Sequence, residues 1–376
     1  MTISRRLLII AGASAPLLAK AAGNPPPAPA PARAGILLPQ SGPNALTGDE
    51  CFRGVEMAVA DINAAGGIAG QPLAILPADC PDEARAAPAV KDMISAHAAF
   101  ILGSGISTIS YAASAAAELA QQPYFELSAT ANGITTRGFK YLLRTCHTAS
   151  MIAGVAAAAI VKAAPAKKIA LLFNTGATSG AIAGAAVDAF KRLNITPNLV
   201  VGYPRSVADL HEPVGRLRRA GTEILLHAGG SDDVLLLFQA MQDSGWRPGA
   251  IYGCGEGYGG RETAYALGAA FDGVFCIDAP FYPERAAYLA AAYQVRFGVS
   301  PRSADSLTTY VGAKLVFDIL NQAQGDTAKL LDALRRTDIR AGTLANGFGV
   351  AFDKTGQNSR SFAILQQWRG GALTAV

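Results

Sequence analysis

The sequence predicts an α/β protein made of two doubly wound domains. Strand-like and helix-like stretches alternate along almost the whole chain, and the strand-like runs recur at helical-crossover spacing. A length of 376 residues also divides into two units, each large enough to bury its own core. With 51% apolar and 16% charged residues, the composition excludes intrinsic disorder. Setting aside residues 1–21, which hold Arg5, Arg6 and Lys20 and no acid, the formal charge falls to about +1. So neutral a protein has no electrostatic footprint for nucleic acid or an anionic membrane.

The N-terminus reads as an address. Ser4-Arg5-Arg6-Leu7-Leu8 opens an apolar stretch to Leu18, and Ala19-Lys20-Ala21 ends it. A basic start, a short apolar core and an A-x-A site make a secretory signal over residues 1–21. The Ser-Arg-Arg-x-Leu-Leu order resembles a twin-arginine signal, and an ordinary Sec signal is the alternative. Either route predicts a protein that leaves the cytoplasm. Residues 22–33 are a Pro/Ala-rich linker with no apolar face to bury.

The folded body then begins. A strand at 34–38 precedes a helix at 52–65, where Val55, Met57, Val59 and Ile62 are apolar and Gly66-Gly67 stops the run. Strand 73–76, helix 83–96, strand 100–102, helix 108–121 and strands 124–127 and 141–143 complete a first series. The second runs strand 169–173, helix 180–193, strand 199–201, helix 210–220, strand 223–226 and helix 233–244, then strands 250–252 and 274–277. The C-terminal part departs from the alternation. Helices at 284–297, 307–324 and 327–336 precede a hairpin-like pair, 350–352 and 362–368, around Asp353-Lys354-Thr355-Gly356.

Open parallel sheets bind ligands outside the carboxyl ends of their strands, so the residues after each strand carry the function. Thr47-Gly48-Asp49 follows the first strand, Gly103-Ser104-Gly105-Ile106-Ser107-Thr108 the third, and Ser128-Ala129-Thr130 the fourth. Small hydroxylated residues at helix N-termini suit an anion without any arginine. Taken singly, Ser107, Thr108 and Ser128 are also ordinary helix caps. Three such turns on one side of a sheet favour a site.

Other chemistry is poorly represented. The five cysteines include no C-x-x-C, and the four histidines are scattered away from them, so neither a metal nor a cofactor is expected. Cys51 at a helix start and Cys80 just past the second strand are one candidate disulfide pair. Cys254 and Cys276, at the ends of successive strands, are a second, which leaves Cys146 free. Gly255-Glu256-Gly257-Tyr258-Gly259-Gly260 follows a strand and contains G-x-G-x-x-G, the pattern of an exported dinucleotide-dependent oxidoreductase. It comes late in the chain, where that fingerprint does not belong. No G-x-S-x-G and no phosphate-binding P-loop occurs, so any ATP hydrolysis belongs to a separate subunit.

The block Gly54-Val55-Glu56-Met57-Ala58-Val59-Ala60-Asp61-Ile62-Asn63-Ala64-Ala65-Gly66-Gly67-Ile68, preceded by Gly48-Asp49-Glu50, resembles the solute-binding proteins of branched-chain amino acid ABC transporters. Thr136-Arg137-Gly138-Phe139 with Leu143-Arg144-Thr145 is similar to that family's approach to its hinge, and Gly253-Cys254-Gly255-Glu256-Gly257 to its second cleft turn. The resemblance implies a type I periplasmic-binding fold of the leucine/isoleucine/valine-binding kind: two Rossmann-like domains joined by a three-strand hinge. Domain one would be 34–147 plus 281–358, and domain two 148–280 plus 359–376. A monomeric, non-enzymatic protein would take a small organic ligand between these domains and deliver it to an inner-membrane permease. The alternative is a sensor of the same fold that feeds a signalling partner.

The resemblance also implies site residues. The ligand carboxylate would meet Ser107 and Thr130 beside Thr108, and the ammonium would meet the Ser128 carbonyl, the Thr130 hydroxyl and Glu256. Thr47, Thr178 and Gly230 stand where the family often has aromatic walls, which makes the expected pocket larger or more polar and leaves the ligand open among amino acids, amides and organic acids.

Overall fold

A computed structural model describes residues 32–164 and 167–376. The expected signal, 1–21, and most of the linker lie outside the described residues.

Two sheets organise the chain. The first has the order β2-β1-β3-β4-β5, all parallel, from β1 (Arg33–Leu38), β2 (Ala74–Asp79), β3 (Phe100–Gly103), β4 (Tyr124–Glu126) and β5 (Leu142–Arg144). On one face lie α1 (Ala45–Ala64) and α11 (Asp305–Gln322); on the other lie α2 (Glu83–Ser95) and α3 (Ser107–Leu119). Alternate residues of β1 show why both faces need cover: Ile36 and Leu38 enter one apolar cluster, and Leu37 enters the opposite one.

The second sheet has the order β14-β13-β10-β9-β8-β6-β7. Its parallel part comprises β6 (Ile169–Asn174), β7 (Leu199–Tyr203), β8 (Ile224–Ala228), β9 (Ala250–Cys254) and β10 (Phe275–Asp278). Two antiparallel strands, β13 (Ile364–Arg369) and β14 (Ala372–Ala375), extend it at the β10 edge. Helices α4 (Ala149–Ala163) and α5 (Ala177–Arg192) cover one face; α6 (His211–Arg219), α7 (Ser231–Asp243), α8 (Glu256–Gly259) and α9 (Arg261–Leu267) serve the other. The C-terminal helices α10 (Ala287–Phe297), α11 and α12 (Thr327–Arg335) return to the first lobe, where a two-stranded sheet of β11 (Asp338–Ile339) and β12 (Val350–Ala351) follows them. The chain thus passes between the sheets three times: after β5, after β10 and before β13.

The structure corrects several local expectations. The first helix starts at Ala45 rather than at 52, so Thr47-Gly48-Asp49 lies in its first turns. Gly48 is tolerated there because a Cβ would overlap the Pro39 carbonyl oxygen, where the helix leaves β1. Helix α4 was not evident. Its buried stripe, Ala149, Ile152, Ala153, Ala156, Ala157 and Ile160, is bordered by more alanine and valine, so the helical period has little contrast. Among the described residues no helix is long and apolar enough to cross a membrane. The hairpin-like pair does not form, since β12 pairs with β11 while β13 joins the second sheet.

Neither candidate disulfide exists; all five cysteines are buried free thiols. Cys51 packs in the cluster on the α1 face of the first sheet, whereas Cys80 packs on the α2 face. In the second sheet Cys276 lies opposite Gly253 and Ile277 opposite Cys254, so alternation sends the two thiols to opposite faces. A sheet separates each pair.

Candidate functional site

Both parallel sheets reverse their strand order at a switch point, between β1 and β3 in the first and between β6 and β8 in the second. The expected site residues follow these four strands, together with β4 and β9. Two hydrogen bonds join them across the cleft. Thr178 Oγ1, in the first turn of α5, donates to Ser107 Oγ at 2.8 Å, and Thr47 Oγ1 donates to Glu256 Oε2 at 3.4 Å. Gly230 is the neighbour of Glu256, since a Cβ there would sit 3.5 Å from Oε1.

The first-lobe turns are built around a carboxylate that sequence reasoning missed. Glu126, the last residue of β4, is fully buried. It accepts the backbone N–H groups of Ser104 at 2.8 Å and Gly105 at 3.3 Å on one loop, and of Leu127, Ser128 and Ala129 at 2.9–3.0 Å on the other. Buried charge is retained only when so satisfied. A second buried ion, the Arg144 guanidinium, donates to the carbonyls of Ala129 at 3.2 Å and Ala131 at 2.7 Å and to Gln357 Oε1 at 2.5 Å. Burial lowers its pKa. Together these ions fix the loop that carries Ser128 and Thr130.

The cap interpretation of the small residues fails in detail. The α3 N-cap is Ile106, with no side chain closing the helix. Ser107 Oγ instead accepts from Ala131 N at 3.2 Å, and half-buried Thr108 is its neighbour in that first turn. Ser128 Oγ donates to Asp305 Oδ1 at 2.5 Å. The Thr130 hydroxyl is buried with no hydrogen-bond partner, an unusual state for an enclosed polar atom.

Glu256 opens α8 and is exposed to the cleft, yet protein surrounds it closely. That enclosure pushes its carboxyl up to about 7, helped by the charges of Asp305, Asp278 and Asp233 and opposed by the Thr47 hydrogen bond. The glycines around it have packing duties. Gly255 holds φ at 96°, and a Cβ on Gly257 would strike the backbone of Gly230. A phosphate has no place here: the helix is one turn long and begins with a carboxylate. Below it, Asp233 accepts from Gly230 N at 2.8 Å and Asn174 Nδ2 at 2.6 Å, which fixes the turn after β8. Three tyrosines near the strand ends of the cleft are otherwise engaged. Tyr203 and Tyr258 are core residues on either side of buried His227, whose pKa burial lowers to about 3, and the Tyr282 hydroxyl pairs with Ser306 Oγ at 2.9 Å.

Three more ionisable groups meet at the base of the cleft. Asp278 ends β10, His147 follows β5, and Asp305 begins α11. His147 Nε2 stands 2.9 Å from Asp278 Oδ1 without an aligned hydrogen bond. The one sequence signal at Asp278 was its place eighteen residues after Gly260 in the dinucleotide-like pattern, which pointed to a different chemistry. Asp305 had none, because it lies at the start of a helix instead of the end of a strand and reaches the cleft only through the return of the chain. Among the described residues no group of three or more His, Cys, Asp or Glu side chains is arranged for a metal ion.

Polar turns from two lobes thus meet between the carboxyl ends of their parallel strands, the place where an open α/β sheet binds a ligand. Residues 31–372 match the family described as periplasmic binding protein. The chain is 36% identical over 386 residues to Leu/Ile/Val-binding protein homolog 7 of Brucella melitensis, covering 98% of this chain and 96% of that protein. Its fold is similar to a leucine binding protein from Thermotoga maritima (TM-score 0.81, 18% identity, 92% of this chain and 97% of the other). It is equally similar to a branched-chain amino acid transporter substrate binding protein from Streptococcus pneumoniae in complex with isoleucine (0.81, 20%, 92% and 98%). An ABC transporter solute binding protein from R. palustris in complex with benzoate also matches (0.81, 17%, 92% and 96%). The chain belongs to the type I periplasmic binding proteins of the branched-chain amino acid transporter family; it is a binding protein of the periplasm, not an enzyme.

Proposed function

We propose that the protein captures an amino acid or related small organic carboxylate by closing its lobes and delivers it, as a monomer, to an inner-membrane ABC permease with separate ATPase subunits. Residues 1–21 would direct export and be cleaved from the mature protein. The hydrogen bonds Thr178–Ser107 and Thr47–Glu256 carry this reading, because they pair the polar groups of opposite lobes that a ligand would take over. In this reading Ser107, Thr108 and Thr130 receive the ligand carboxylate. The Ser128 carbonyl, the Thr130 hydroxyl and Glu256 face its ammonium, and Thr47, Thr178 and Gly230 form the walls. The lobes divide as 34–147 plus 281–358 and 148–280 plus 359–376, and the three chain passages would act as the hinge.

A thermal-shift screen of amino acids, amides and aromatic acids, followed by calorimetric titration of the hit, tests the reading. Ser107→Ala is expected to weaken a carboxylate ligand by about 0.5–1.5 kcal/mol, the net worth of one hydrogen bond. Small-angle scattering should show compaction on binding if ligand-free molecules populate an open form. A bound ligand indifferent to both Ser107→Ala and Glu256→Gln would place the site elsewhere.

A further inference from the structure

Charge is distributed unevenly around this cleft. The groups whose charges act on Glu256 are Asp305, Asp278 and Asp233, all acids. Foremost among those acting on Asp305 is Asp278, with His147 on the same side of the site. His147 already faces Asp278 at 2.9 Å, and Asp233 is occupied by Asn174 and Gly230. Among the described residues the other two carboxylates have no ion-pair partner, and they come from different lobes: Glu256 after β9 and Asp305 at the start of α11, the helix packed on α1. Asp305 is held in place by hydroxyls alone, Ser128 Oγ at 2.5 Å and Ser303 Oγ at 2.8 Å. The neighbourhood also holds polar groups without partners. The Thr130 hydroxyl is buried and unbonded two residues from Ser128, and His147, 3% exposed and directed at Asp278, has no aligned hydrogen bond at either ring nitrogen.

We propose that Asp305 is a specificity-determining residue, which with Glu256 forms an acidic clamp that accepts the cationic end of the ligand, one carboxylate from each lobe. This rests on the reading of the cleft as a carboxylate-binding site and narrows the ligand to ammonium-bearing molecules. The physical reason is electrostatic. Closure brings two like charges together in a partly desolvated space, where repulsion is stronger than in water. A ligand with an ammonium group relieves that repulsion and gains charge-assisted hydrogen bonds to both acids. A purely anionic acid such as benzoate adds a further negative charge and holds the lobes apart. Discrimination then comes from repulsion of the wrong ligand as much as from attraction of the right one.

The test uses the mature protein, calorimetry, the L-amino acids, the deaminated acid of each amino acid that binds (4-methylpentanoate for leucine) and benzoate. Wild type is expected to bind at least one amino acid and to bind its deaminated acid at least about a hundredfold more weakly. Asp305→Asn should weaken the amino acid by about ten- to a hundredfold while leaving the deaminated acid unchanged or tighter. That divergence separates recognition from a structural role, because loss of the Ser128 contact alone would weaken both ligands alike. Asp305→Glu, which keeps the charge, should recover part of the affinity if the clamp operates, and melting curves of both variants establish that they fold. An Asp305→Asn protein that binds the amino acid as wild type does, or that loses both ligands in parallel, overturns the proposal and leaves the binding-protein reading intact. Wild type that binds benzoate but no amino acid has the same consequence. Failure of every probe on wild type overturns both.

Discussion

A carboxyl at Glu256 with its pKa near 7 makes the cleft sensitive to pH in a direction that can be worked out. Unfolded, the same group ionises near 4.5. Between these values the folded protein keeps a proton that the unfolded chain releases, so the stability contributed at low pH is lost as pH rises through the window. Melting curves of ligand-free protein at several pH values should show this loss, and Glu256→Gln should flatten it. Binding runs the other way: an ammonium ligand needs the ionised acid, so its affinity should climb as pH passes 7 and then level off. Glu256 was singled out in the sequence through the resemblance of its glycine-rich turn, Gly253-Cys254-Gly255-Glu256-Gly257, to the family's second cleft turn. Asp305 was not, because only the returning helix α11 brings it beside Ser128. Glu126 escaped notice for another reason. It is the final residue of a strand, and nothing in its neighbours indicates that five backbone N–H groups will turn towards it.

At the scale of elements, the alternation of strands and helices was legible wherever turns punctuate it and apolar faces contrast with polar ones. It failed where contrast was low, as in α4, or where pairing is decided at long range. The β12 and β13 segments flank a genuine tight turn, in which Asp353 Oδ1 accepts from Thr355 N at 2.8 Å and Gln357 N at 3.1 Å. The arms nevertheless part, because residues near 358 are claimed by β5: Arg144 N donates to the Gly356 carbonyl, and Asn358 N to that of Arg144. Arg144 is thus the joint between β5, the Thr130 loop and the last chain passage. Arg144→Met would leave the carbonyls of Ala129 and Ala131 and the Gln357 amide oxygen short of donors, at about 1–3 kcal/mol for each that stays dry. Relief from burying a guanidinium offsets part of this. A net loss of about 3 kcal/mol is expected, read as a lower urea midpoint, with weaker ligand binding because the Thr130 loop is released.

Across the whole molecule, the lobes also touch at the rim. Arg302, from the segment before α11, pairs with Asp49 on α1 and, through Nε, with Glu262 Oε1 of α9 at 2.8 Å, while Arg261 N donates to the Arg302 carbonyl at 2.9 Å. The ion pair reaches solvent, so it is worth about 0.2–1 kcal/mol and is screened by salt. Glu262→Gln should shift ligand-free protein towards the open form by up to about fivefold, and added salt should do the same to wild type but little to the variant. Fluorescence transfer between a dye on each lobe reads both.

The partnership of α1 with α11 governs the order in which the molecule can be completed. Gly54 approaches Ser306 so closely that a Cβ would overlap its carbonyl oxygen, and Thr309 Oγ1 donates to the Cys51 carbonyl at 3.0 Å. Within one apolar cluster, residues such as Ile36, Val55 and Phe125 meet Leu307, Val316, Phe317 and Leu334. During synthesis the N-terminal half of this core therefore waits, with one face of its sheet uncovered, until the entire second lobe has been made. Contacts so distant along the chain form slowly. A fragment ending before α10 should bind a hydrophobic dye and resist crystallisation as a native lobe, while the intact chain refolds in a late phase that buries that face. The nascent chain consequently stays unfinished for most of its translation, and its first lobe becomes native only when its last helices have left the ribosome.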